Sequence, residues 1–155
     1  EQILEEVCNN YDINLTVARI FNMFGGRDKF SVISKIIDCY KNKTQLNLFN
    51  NGKFVRDYIY IHDIVDIYEK LLLESRIKFE IVDIGSGQGK SLADILDYLS
   101  INGYIINTKT ASSKGIDFSQ ANINRIKKII DISSFVDVNT YLLNKLNRLN
   151  DKINY

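Results

Sequence analysis

Apolar positions along the chain keep two different spacings, and the spacings alternate. Ile3, Leu4 and Val7 fall on one side of residues 1–10 with Glu5 and Glu6 opposite, so the chain is expected to open inside an amphipathic helix. Leu15–Phe21 (LTVARIF) is a β-branched apolar run, the pattern of a parallel strand buried on both faces. Asn22–Asp28 reads as a glycine-containing loop. Ser31–Lys43 returns to helical spacing through Val32, Ile33, Ile36, Ile37 and Tyr40, with Ser31 as cap. A short strand at Leu46–Phe49, a turn at Asn50–Lys53 and an extended aromatic segment at Phe54–Ile61 follow. His62–Ser75 is the clearest helix, striped by Ile64, Ile67, Tyr68, Leu71 and Leu72. Phe79–Gly85 is a second apolar strand, Ser91–Ser100 a helix with Asp94 completing a capping box, and Tyr104–Thr110 a strand. Residues 122–131 and 137–149 read as two last helices, the second faced by Tyr141, Leu142, Leu146 and Leu149. Strands alternating with helices define an α/β protein. The strand LTVARIF needs a partner on each edge, and the chain supplies few. The expectation is therefore the later part of a larger α/β protein, or a sheet completed by another chain.

Composition narrows the function classes. Of the 155 residues, 45% are hydrophobic and 25% charged, which excludes a disordered chain. No apolar run reaches the roughly 18 residues of a membrane span, and EQILEEVCNN has no basic leader, so no signal peptide is expected. Lys and Arg number 20 against 19 Asp and Glu, so no basic excess points to nucleic acid. Cys8 and Cys39 form no CxxC and read as reduced thiols of a cytoplasmic protein; with one histidine they argue against structural zinc. Proline is absent, so glycine and asparagine mark the turns.

Three segments carry possible chemistry. Val82–Ser91 (VDIGSGQGKS) follows a strand and precedes a helix. It misses a Walker loop because Ile84 stands where the first glycine is needed, and a dinucleotide fingerprint because position 90 is lysine. Asp83 leading Gly85, Gly87 and Gly89 is similar to the first motif of S-adenosylmethionine methyltransferases. The 66 residues after Gly89 are too few for the rest of that fold, and a tight structural turn is the plainer reading. In Val55–Asp63 (VRDYIYIHD), Arg56 can reach an anion with its planar fork or form a surface pair with Asp57. His62 reads as a cap or surface residue, and Asp57, Asp63 and Asp66 are too generic to assign. Asn22 stands just past the carboxyl end of a buried strand, where open α/β sheets bind ligands, or it only holds the turn.

The order of these pieces, R-x-F-N-x-F-G, a helix, L-x-L-F, G-x-x-V-R-D-Y-I-Y-I-x-D and I-G-S-G-x-G-x-S, resembles the C-terminal half of the extended short-chain dehydrogenase/reductases. More narrowly it resembles the NAD-dependent nucleotide-sugar epimerase/dehydratase family, across nearly the whole chain. The resemblance implies late strands and helices of a Rossmann-like parallel sheet (residues 1–22 and 62–85) plus a small α/β domain for the nucleotide sugar (residues 23–61 and 86–155). It also implies site roles. Asn22 and Arg56 would hold the nucleotide diphosphate, Leu48 and Phe49 would border the nucleobase, and Phe21 would lie near the nicotinamide. Lys114 and Asp117 stand in the family's R-x-G-D segment, Lys114 supplying charge without the guanidinium fork. Gly26 replaces the usual proline and Asp83 the usual asparagine.

The family binds NAD through an N-terminal glycine-rich turn and takes a proton with Tyr-x-x-x-Lys. Neither motif is expected here, the chain starting a few residues after that lysine's place. The implied product is a substrate-binding portion of an epimerase, dehydratase or reductase, without catalytic residues or bound NAD of its own. Its partners would be a nucleotide diphosphate sugar and either a second copy or a missing N-terminal half, with no nucleic acid or membrane. A non-catalytic dimerisation remnant and an S-adenosylmethionine-dependent methyltransferase are the alternatives.

Overall fold

A computed structural model describes residues 1–74 and 79–151. Ser75, expected to end the helix begun at His62, and residues 152–155 of the expected smaller domain lie outside the described residues. In chain order the elements are α1 (Gln2–Asn10), β1 (Leu15–Ile20), β2 (Asn22–Phe24), α2 (Val32–Asn42), β3 (Leu46–Phe49), β4 (Val55–Tyr60), α3 (Ile61–Glu74) and β5 (Phe79–Ile84). Then come β6 (Gly89–Ser91), α4 (Leu92–Ile101), β7 (Thr108–Ala111), β8 (Phe118–Ser119) and α5 (Val138–Asp151), with 3-10 turns at Asn50–Gly52, Ile126–Lys128 and Ile132–Ser134. The α/β class read from the sequence holds. No helix among the described residues is long and apolar enough to cross a membrane.

Among the described residues the strands form three small sheets. β1 and β5 pair in parallel from Leu15 beside Phe79 to Ile20 beside Ile84. β4 is the hub of the second sheet, flanked by parallel β2, antiparallel β6 and parallel β8. β3 and β7 make a third, parallel pair. Two apolar clusters hold these sheets. Phe24, Ile33, Ile36, Leu46, Ile95, Leu99, Leu142 and Leu146 fill one, which joins α2, α4 and α5 to the β4 sheet. Ile59, Ile64, Ile67, Leu71, Val82 and Ile84 fill the other, under α3 and β5, and Ile126 joins them.

Local chemistry explains the helix ends. The Ser31 side chain accepts from the Ser34 amide at the start of α2, and Lys43 closes that helix in the left-handed region. Ser91 and Asp94 form the capping box foreseen for α4. Asp137 caps α5 by accepting from the amides of Asn139 and Thr140, and the Lys90 ammonium pairs with its other oxygen.

Several expectations need correction. Asn22–Phe24 is a strand, not loop, because its backbone pairs with Tyr58–Tyr60. Only Thr108–Ala111 of the expected strand 104–110 pairs; Tyr104 instead turns into the core, its hydroxyl donating to Asn147. Residues 122–131 contain one 3-10 turn in place of a helix. β1 is half-buried, not buried on both faces, and Arg19 and Ile20 are exposed. The stripe of α1 and part of that of α3 face outward: Ile3, Leu4, Val7 and Leu72 are all exposed. Both cysteines are free and half-buried.

Burial works against ionisation of Asp137, but the Lys90 ammonium and the amides of Thr140 and Asn139 outweigh it and hold the carboxyl below its ordinary 3.8. A depressed folded-state value contributes stability that is present above 3.8 and lost as pH falls through the folded value. Asp137→Asn is therefore expected to lower Tm at neutral pH and to flatten the fall of Tm with acid below about pH 4, read by circular dichroism melts across pH.

Candidate functional site

Side chains along a strand alternate between its faces, and β4 uses the alternation to serve two structures. Phe54, Arg56 and Tyr58 line a groove of about 870 Å³. Asp57 and Ile59 point the other way, Ile59 into the second apolar cluster. Asn22 reaches the same groove from β2, where it stands opposite Tyr58, and Phe49 reaches it from the end of β3.

Arg56 donates from Nη1 to the Val55 carbonyl at 2.7 Å, and its Cζ lies 5.3 Å from the centre of the Phe54 ring. The backbone bond and the ring fix the direction of the fork while leaving donors for an anion. Among the described residues no carboxylate forms an ion pair with Arg56. Deep burial pushes the Tyr58 phenol up to about 12, the Arg56 cation pulling the other way, so Tyr58 stays a neutral hydroxyl.

The structure thus brings Asn22, Phe49 and Arg56 together and leaves the other expected residues outside the groove. Leu48 packs against the Asn50–Gly52 turn, where a Cβ on Gly52 would meet its Cδ1 at 2.9 Å. Asp117 contributes its carbonyl, which accepts from the Val55 amide at 2.9 Å. Lys114 is exposed, while its neighbour Gly115 backs onto the arginine: a Cβ there would lie 3.3 Å from the Phe54 ring and 3.9 Å from Arg56 Nη2. Phe21 lines a separate concavity of about 480 Å³ with Arg19, Asp83 and Ser119, and Asn22 borders both spaces.

Sequence reasoning set Asp57 aside, and it is fully buried. Its Oδ1 accepts from the Ser86 amide and hydroxyl, both at 2.7 Å; its Oδ2 accepts from the amides of Gly87 at 2.9 Å and Ala121 at 3.1 Å. The glycine-rich turn is therefore wrapped around a carboxylate of its own chain. Gly85 permits that approach, since a Cβ there would stand 2.8 Å from Asp57 Oδ2, and Gly87 takes a φ of 73°. Asp57 does not pair with Arg56. No local signal marks it: its donors lie 29 to 64 residues away.

The expectation that the chain holds no Tyr-x-x-x-Lys also needs correcting. Tyr141 and Lys145 have that spacing, on α5. The Tyr141 ring packs on Phe24 and Tyr60, with Lys145 Nζ 5.4 Å from its centre. Burial, with Tyr60 and Asp28 nearby, pushes this phenol up too. Neither residue lines the groove of Asn22 and Arg56; both border a separate concavity of about 630 Å³ with Arg27, Lys29 and Asp38.

The model of the NAD dependent epimerase/dehydratase family matches residues 1–85. CDP-abequose synthase of Salmonella typhimurium is 32% identical over 105 residues, covering 64% of this chain and 34% of that protein. UDP-glucose 4-epimerase of Mycoplasma genitalium is 28% identical over 115 residues, covering 63% and 34%. The chain thus spans about a third of the length of these curated relatives. A variant of UDP-glucuronic acid 4-epimerase from Bacillus cereus, solved with UDP-4-deoxy-4-fluoro-glucuronic acid and NAD, superposes with a TM-score of 0.82. It is 19% identical, over 97% of this chain and 49% of that one. UDP-glucose 4-epimerase from Thermotoga maritima, solved with UDP-glucose, gives 0.77 at 21% identity over 98% and 51%.

Asp57→Ala leaves four donors without their acceptor, and is expected to cost about 3 kcal/mol or more. Asp57→Asn, which keeps one accepting oxygen, is expected to fall between it and the parent in urea unfolding.

Proposed function

We infer the function from one premise: the chain belongs to the NAD dependent epimerase/dehydratase family. It is the substrate-holding part of a nucleotide-sugar epimerase or dehydratase, and by itself it turns no sugar over. The observation that carries this reading is the groove shared by Arg56, Asn22 and Phe49. A guanidinium seated on an aromatic ring matches the bidentate geometry of a phosphoryl group. The Asn22 amide offers a donor beside it, and Phe49, about two-fifths exposed, offers a flat apolar wall to a nucleobase.

In this reading residues 1–22 and 62–85 belong to the dinucleotide-binding domain, and residues 23–61 and 86–155 to the nucleotide-sugar domain. Phe21, in the neighbouring concavity, stands toward the nicotinamide. The residues described here do not fit a whole dinucleotide. NAD supplies hydride transfer when bound, and its pyrophosphate needs free backbone amides, whereas those of Ser86 and Gly87 already donate to Asp57. The same bonds argue against a methyltransferase turn. The groove residues bind and orient; Tyr58, kept neutral, takes no proton.

UDP and CDP titrated calorimetrically into the chain are expected to bind saturably, and Arg56→Ala to weaken the tighter of them at least roughly tenfold. Equal affinity of parent and variant would overturn the reading, as would epimerase turnover by the chain alone.

A second reading, a dimerisation remnant of the same fold, is favoured by a specific surface. Among the described residues β1 pairs only with β5, and Ile3, Leu4, Val7 and Ile20 stand exposed beside it. It is expected to show as a sedimentation coefficient that rises with protein concentration and is indifferent to UDP and CDP. The substrate-holding reading instead pairs this face with an N-terminal half.

A further inference from the structure

The groove holds a second cation that the sequence reading did not single out. Helix α2 divides its surface. Ile33 and Ile36 are buried in the first apolar cluster and Val32 and Cys39 pack at its edge, while Val32, Lys35 and Cys39, spaced three and four residues apart, line the groove. Lys35 is the one charged residue of that stripe. Among the described residues it forms no ion pair. Asp28 is the carboxylate of the groove wall, and its oxygens already accept from the amides of Phe30 and Ser31. The groove therefore presents two cations from two different elements against one engaged carboxylate.

A nucleoside diphosphate carries charge on two phosphoryl groups joined through one oxygen. A single fork on β4 does not balance both. The resemblance gives the second cation's place to Lys114, but Lys114 does not line the groove, and its neighbour Gly115 closes against Phe54 and Arg56. We propose that Lys35 is the second cation of the diphosphate site, acting from α2 while Arg56 acts from β4. This deepens the substrate-holding reading and rests on it. An ammonium on a flexible stem suits the part, since it follows the second phosphoryl group as a point charge while Arg56 fixes the first.

The test uses the 155-residue chain with UDP, CDP and their monophosphates, titrated at two salt concentrations. Lys35→Gln is expected to weaken the diphosphate at least fivefold, the monophosphate less than twofold, and to reduce the salt dependence of diphosphate binding. Lys35→Arg is expected to restore most of the affinity, and Lys114→Gln to change it less than twofold. Because Lys35 is exposed, an unchanged Tm serves to verify that the variants fold. Parent affinity in Lys35→Gln, or a larger loss in Lys114→Gln, overturns the assignment. If Arg56→Ala weakens binding while Lys35→Gln does not, this inference alone falls; if the parent binds none of the four nucleotides, the substrate-holding reading falls and takes it along.

Discussion

The burial of one carboxylate organises this chain. Asp57 has no exposed surface, and an acid at such depth needs every lone pair answered. The answers come from two places distant in sequence, the turn after β5 and the segment leading to Ala121. Those bonds tie β4 to the end of one sheet and to the strand-poor stretch that carries Ile126 into the second core. Because Asp57 fixes β4, it also fixes what β4 shows on its other face. The bonds of Asp57 thus anchor the strand whose opposite face carries Arg56, while the Val55 carbonyl and the Phe54 ring direct the guanidinium itself.

The groove gains its character from contrast. Its walls are aromatic and aliphatic, from Phe49 and Phe54 to Val32 and Leu92, and its charges stand on separate elements. A cation held over an aromatic ring in such surroundings is less hydrated than one on an open surface, and meets an anion at lower desolvation cost.

Much of this is legible in the sequence. Ser31, and Ser91 with Asp94, announced two helix starts because capping needs only neighbours in sequence. The resemblance carried by motif order named Asn22, Phe49 and Arg56 together, and the three line one groove. What stayed hidden depended on distance or on backbone alone. β6 runs through Gly89 and Lys90, which have no strand preference, and exists because Val55–Asp57 offers an edge. Tyr104–Asn107 carries strand-like residues, yet Tyr104 is drawn into the core. Asp57 read as one acid among several, since its donors are far away along the chain. The apolar stripe of α1 is present but exposed; periodicity reports that a face is apolar, not what covers it.

The adjacency of Arg56 and Asp57 has a consequence for folding fidelity. With a period of two, a slip of β4 by a single residue would drive a guanidinium into the interior and turn a carboxylate out to water. Neither group tolerates the exchange: the buried cation would face backbone donors, and the glycine turn would lose its anchor. Mispairings that hydrophobic pattern alone would permit are thus rejected electrostatically, and the two neighbouring charges act as a proofreading mark for the alignment of the sheet.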